Sequence, residues 1–282
     1  MASVVRSLNR PAMQVNHSSS GRLEVRANGK ALGPLLLIVL VAVAVDPPPP
    51  PTPIVAGSVS KLKTVKVERI AWDPVEGYDR RTLLGWKVLV NKKFLAANAS
   101  LAERTLVHLQ DHLYRITHML PPPASAKLRQ IPIWVEEKHP KHPCMCYHVS
   151  AEWLRNNDMN PEKAGAVEIA NAANFLERSK QQPWMVLHEM AHGYHHKFLA
   201  DGYENKDVLR AYRNAMEKKL YDSVLDSAGG KRKHYACNNQ MEYFAEATEA
   251  YFGVNDFHPF VRAELKVYDP AGYAMIGKLW NE

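Results

Sequence analysis

The sequence predicts an α+β fold, and three observations predict it. Short segments in which apolar and charged residues alternate lie before residue 180. One long segment of helical period is set among them. After residue 183 the apolar residues recur almost throughout at helical spacing. With 282 residues, 46% of them apolar and 23% charged, the chain can bury a core of ordinary size.

Taken in order, residues 62–72 place Val65 and Val67 between charges, and residues 85–94 alternate Trp86, Val88 and Val90 in the same way. Each reads as a half-buried strand. Ser100 and Glu103 form a capping-box pattern. Leu106, Leu109, Leu113, Ile116 and Leu120 then follow at helical spacing until Pro121, Pro122 and Pro123 stop the run. Residues 131–137 and 165–176 read as two further strands. Residues 205–225 form an amphipathic helical pattern, 227–239 a loop, 238–252 a helix opened by asparagine, and 269–280 a terminal helix capped by Asp269 with Pro270 at its first position.

The organisation ahead of this body is that of an address and a tether. Arg22, Arg26 and Lys30 precede the apolar run LLLIVLVAVAV, too short to span a bilayer comfortably, and Ala42, Val43 and Ala44 make the small-x-small pattern of a cleavage site. Residues 1–45 are therefore expected to be a signal peptide or membrane anchor. Residues 46–60, with DPPPPPTP, are a proline-rich linker that favours an extended polyproline conformation. Residues 61–282 are the folded domain. The expected location is outside the cytoplasm: secreted, periplasmic or tethered to a membrane.

The net charge of +7 comes from scattered basic residues that often adjoin acids. That is a solvated surface, and no basic face with interleaved aromatics marks a nucleic-acid partner. The three cysteines are Cys144, Cys146 and Cys237. Cys237 pairing with one of the other two is feasible, whereas a Cys144–Cys146 bridge would be strained. HPKHPCMCYH, residues 139–148, is rich in metal-ligand residue types, but no second ligand pair of finger-like spacing follows it. It is expected to be a proline-rich surface loop.

The chemistry centres on QQPWMVLHEMAHGYHH, residues 181–196. Pro183 suits the first turn of a helix, which puts His188 and His192 one turn apart on one face. Two imidazoles so placed reach one zinc ion. Glu189, a step around the helix, reaches a water rather than the metal. Zinc catalysis requires a third protein ligand. Where a metzincin has glycine and histidine this chain has His195 and Phe198, so that arrangement is excluded. His196, a turn further along, is one option. The other lies in NNQMEYFAEATEAYF, residues 238–252, where Glu242, Glu246 and Glu249 recur at spacings of four and three beside an apolar side. One of these acids can ligate zinc while another orients a ligand histidine.

HEMAH followed by MEYFAEA resembles the zincin metallopeptidases whose third ligand is a glutamate, with its nearest likeness in motif to the catalytic domain of anthrax lethal factor. The likeness covers about the last hundred residues. It implies a small twisted sheet with a backing helix, an active-site helix, and a mainly helical C-terminal part. It further implies one zinc ion held by His188, His192 and Glu242, with Glu246 behind a ligand and Tyr235, seven residues before Glu242, facing the oxyanion; His234 is the competing donor. Zincins also accept an extended substrate along an edge strand, and residues 165–176 stand where that strand is expected, although an internal strand fits them equally. The function so implied is a zinc-dependent peptidase acting on peptide or protein, with Glu189 as general base. The alternative is a zincin-like binding protein with a structural or vestigial site, docking to cell wall or polyanion. That alternative gives no reason for Glu189.

Overall fold

The computed structural model describes residues 72–140 and 142–281. The expected leader, the linker and residues 62–71 of the first expected strand lie outside them. The described chain forms a five-stranded sheet with the helices that flank it, followed by a helical half, and is α+β. The sheet consists of β1 (Tyr78–Leu83), β2 (Trp86–Asn91), β3 (Ile133–Val135), β4 (Met145–Tyr147) and β5 (Val167–Ile169), in the order β1-β2-β3-β5-β4. β1 and β2 form a hairpin whose turn residues, Leu84 and Gly85, both have positive φ, the signature of a type I′ turn. β2, β3 and β5 are mutually parallel, and β4 returns antiparallel along β5 as the edge.

Helix α1 (Ala99–Met119) carries the chain from β2 back to β3, as a parallel pair requires. Strand alternation sends Val88, Ile133, Val167 and Tyr147 in one row, and Val90, Val135, Ile169 and Met145 in the next, to the same face. There they join Leu106, Leu109, Leu113 and Ile116 of α1 in one buried core. Helix α2 (Met185–Phe198) packs beneath β4 and is buried along almost its whole length. Helices α3 (Lys206–Glu217), α4 (Gln240–Phe252) and α5 (Pro270–Leu279) make the helical half, and α4 packs along α2.

Several expectations change in detail. β1 has no place in the sequence reading because only Tyr78 among its six residues is buried and it shows no apolar alternation. The strand expected over 85–94 ends at Asn91, whose side chain caps a short helix, Lys92–Ala97. The cap of α1 is Asn98, which accepts from Leu101 N, rather than Ser100. Residues 165–176 divide into β5 and the helix Ala172–Arg178 at the cap residue Asn171. The helix expected over 205–225 stops at Glu217, and Val224–Leu225, at the end of that span, pairs with Lys231–Arg232 of the expected loop as a small hairpin. Residues 142–148 are not a surface loop: they are buried apart from Pro143 and contain β4. No disulfide joins Cys144, Cys146 and Cys237.

Candidate active site

The site is built where α2 crosses α4. His188 and His192 lie one turn apart on α2 with ring centroids 4.8 Å apart, and both are fully buried. Across from them, Asn239 caps α4 by accepting from Met241 N and Glu242 N, so Glu242 sits in the first turn. Its Oε2 lies 3.1 Å from His188 Nε2 and 3.4 Å from His192 Nε2. Tetrahedral zinc with bonds of about 2.0–2.1 Å separates its ligand atoms by about 3.3 Å, which the two distances to Glu242 already match, and all three donors lie within 4.8 Å of one another. Neither ring nitrogen of His192 has a hydrogen-bond partner among the described residues. With His188 and Glu242, His192 makes a buried group that could hold a metal ion.

Charge agrees with this geometry. Burial works to raise the Glu242 carboxyl, but the charge of nearby His192 and the hydrogen bond from His188 outweigh it and hold the group well below the usual carboxylate range. The acid is thus in its ligating form.

Behind His188 the acids of α4 divide their roles. His188 Nδ1 lies 2.6 Å from Glu249 Oε1 and 3.6 Å from Glu246 Oε1. With Nδ1–H donated to Glu249, Nε2 is the nitrogen that faces Glu242 and could ligate a metal. The acid in hydrogen-bond contact with the histidine is therefore Glu249, one turn beyond Glu246. Glu246 lies between the two rings of His188 and His234, its Oε2 3.9 Å from His234 Nδ1.

Glu189 is buried, and its Oε2 accepts from Tyr147 N at 2.9 Å. The general-base candidate therefore spans from α2 to the outer edge of β4. Tyr235 occupies the turn before α4, with its ring centroid 6.5 Å from that of His188. His234 is buried against Tyr221 and Phe257, and its Nδ1 accepts from Ala236 N. His196 lies away from the ligand cluster in contact with Tyr147 OH at 3.0 Å, and its ring stacks on Tyr203. His195 is buried between Tyr203 and Phe244.

Three residues of this region have no role in the sequence reading. Glu249 was visible as part of the acidic face. Tyr147 and Tyr203 carried no signal, because they reach the site through tertiary packing. Tyr203 donates to His192 O at 3.3 Å, and burial, then Tyr147, Glu242 and Glu189, push its phenol well up, so it stays protonated.

No protein-family model matches the chain, and no curated protein matches it. Among solved structures it is similar to the PRO-PRO endopeptidase (PPEP-2) from Paenibacillus alvei, with 17% identity over 71% of this chain and 99% of that one and a TM-score of 0.38.

Proposed function

We propose that the chain is a zinc-dependent peptidase. The observation that carries this is the convergence of His188 Nε2, His192 Nε2 and Glu242 Oε2 at ligand spacing with Glu189 buried beside them. Three protein ligands leave the fourth position open, as catalytic rather than structural zinc requires. When bound, zinc supplies Lewis acidity, polarising a carbonyl and acidifying a water.

The chain's own residues supply the proton traffic. Glu189 takes the proton of the attacking water and passes it to the leaving amine, so no covalent intermediate is needed. The hydrogen bond from Tyr147 N holds Oε2 of Glu189 in place for this work. Tyr235 donates its phenol to the oxyanion. It is favoured over His234 because its ring faces His188, while His234 is packed in the core. Glu249 fixes the His188 ring.

The substrate lies along β4. Residues 165–176 fitted an accepting edge and an internal strand equally; within them Val167–Ile169 form the internal strand β5, paired with β3 on one side and β4 on the other. At β4, His148 N–H donates to Ala166 O and His148 O accepts from Gly165 N, so the backbone of His148 faces β5 and that of Tyr147 faces outward toward Glu189. An extended peptide added there passes directly over the ligands. Export of the domain behind a proline-rich tether belongs to the same reading and rests on the sequence of residues 1–60.

The test is metal analysis of the purified chain with a peptide-library cleavage assay run with and without chelator. Cleavage that chelator abolishes and zinc restores is the expected result. Bound zinc without cleavage of any peptide would favour the binding-protein alternative.

A further inference from the structure

The far face of the sheet holds a second set of metal-ligating side chains. Strand register places Leu89, Trp134, Glu168 and Cys146 in one row across β2, β3, β5 and β4, on the side opposite Tyr147 and α2. His148, two residues after Cys146, joins them. Cys146, His148 and Glu168 are all buried. His148 Nε2 lies 2.6 Å from Glu168 Oε2 and 3.5 Å from Cys146 Sγ. His148 Nδ1 has no hydrogen-bond partner among the described residues, so the polar contacts of the ring converge on one point between the thiol and the carboxylate.

The surrounding charges do not cancel. Lys163 Nζ contacts Glu136 Oε1 and Glu168 Oε1, each at 2.5 Å, while Tyr78 OH and Asn91 Nδ2 bring Glu136 no charge. Two carboxylates against one ammonium leave a net negative charge, fully buried at Glu168 and slightly exposed at Glu136, which is disfavoured unless paired. A divalent ion with Cys146 as thiolate brings the sum to zero: ion and ammonium balance Glu136, Glu168 and the thiolate. A proton on His148 would balance the carboxylates too, but gives Cys146 no part.

We propose that Cys146, His148 and Glu168 form a second, structural zinc site, with His142 supplying the fourth ligand. The buried His142 stands edge-on to His148 with ring centroids 6.3 Å apart. Zinc bonds of about 2.3 Å to sulfur and 2.0–2.1 Å to nitrogen set an S···N separation of about 3.5 Å, which Cys146 and His148 already have. The Glu168–His148 pair has to open from its hydrogen bond by about 0.7 Å to reach the ligand spacing. Glu168 can do so while Oε1 stays on Lys163. Thiolate and imidazole together select zinc over magnesium or calcium. A cleft of about 180 Å³, lined by Tyr78, Glu136, His139 and Lys163, gives access to the network. The ion ties β4 to β5 one residue from Tyr147, whose N–H holds Glu189, so it stiffens the edge that the proposed substrate meets.

The test uses cobalt(II) substituted into the full chain, because a thiolate ligand gives a ligand-to-metal charge-transfer absorption that imidazole and carboxylate ligands do not. The proposed peptidase site contains no thiol. Wild type is expected to bind two cobalt ions per chain and show the thiolate absorption. Cys146→Ser should bind one and lose it, and a His188→Ala/His192→Ala double variant should bind one and keep it. The double variant also guards against a Cys146→Ser protein that fails to fold. Absence of the absorption in wild type, or its survival in Cys146→Ser, overturns the proposal. The peptidase reading fails by a separate result, a double variant that still binds two ions.

Discussion

His188 is held at both ring nitrogens, one toward Glu242 and the other toward Glu249, and this double constraint separates the acids of α4 by experiment. Glu242→Ala should abolish zinc at the peptidase site, since it removes one of three ligands. Glu249→Gln should weaken zinc by about 10–100-fold, as losses behind a ligand histidine do. Glu246→Gln, farther from the ring, should weaken it less. Competition against a chelator of known affinity ranks the three, and a Glu246 effect larger than that of Glu249 would reverse their assignment. Glu189→Gln should keep zinc and lose about 10²–10⁴-fold in turnover. Cleavage at the parent rate would sink the mechanism. Tyr235→Phe should bind zinc normally and lower kcat more than it raises KM, because an oxyanion partner acts only as charge develops. His188, Glu189 and His192 were legible in the sequence because their spacing on one helix is itself the chemistry. The division between Glu246 and Glu249 was not, because both share a face and only the placement of α4 against α2 decides which carboxylate meets Nδ1.

At the scale of elements, the site depends on how closely α2 approaches α4 on one side and the sheet on the other, and one glycine permits each approach. A Cβ on Gly253, just past α4, would lie 2.1–2.4 Å from ring atoms of Trp184, the residue that opens α2. Those atoms belong to a rigid, buried indole, so the start of α2 would have to move. A Cβ on Gly193 would lie 2.6 Å from Ile131 Cδ1 and 3.0 Å from Tyr147 Cε2. Ile131 is fully buried, which limits its retreat. Alanine at a helix interior gains about 1 kcal/mol over glycine, while overpacking costs about 1–3 kcal/mol. Gly253→Ala lies outside the helix and gains none of that propensity, so it should be the more destabilising of the two in thermal melts. Equal melting temperatures for parent and Gly253→Ala would show that the indole has room the structure denies it. The long helices were legible because burial of one face repeats over many turns. β3, β4 and β5 have three residues each, too few for a period to declare itself, and the edge role of β4 arises from a chain path that skips a position and returns. Nothing in HPKHPCMCYH encodes that path.

Across the whole molecule, buried histidines tie stability to pH. Burial, then the charges of Arg115 and His108, lower His112 to about 2, and burial, then His192 and His196, lower His195 to about 3. Both are neutral in the folded chain at pH values where an unfolded histidine, with a pKa of about 6.5, has taken a proton. A depressed folded pKa stabilises above the unfolded value and loses that contribution as pH falls through the interval between the two. Each group therefore removes up to about 1.4 kcal/mol per pH unit below pH ~6.5, and the two together up to about 2.7. Against a typical stability of about 5–15 kcal/mol, two pH units of such loss are enough to bring the fold near its midpoint. Glu168 adds to the acid loss in a lower window: burial opposes its charge, but Lys163 and His148 hold its carboxyl well below the usual range, so its contribution disappears only as pH falls below about 4.5. The expected result is a melting temperature that drops steeply from about pH 6.5, well before carboxylates titrate. The melts belong in chelator, so that acid release of zinc does not contribute to the slope. His112→Phe should flatten the slope between pH 6.5 and 4.5 by about half, and His195→Phe, replacing a ring packed between Tyr203 and Phe244, by a similar share. A melting temperature that stays level from pH 7 to 5 in the parent would mean these rings are protonated in place, with acceptors and room that the folded chain does not provide.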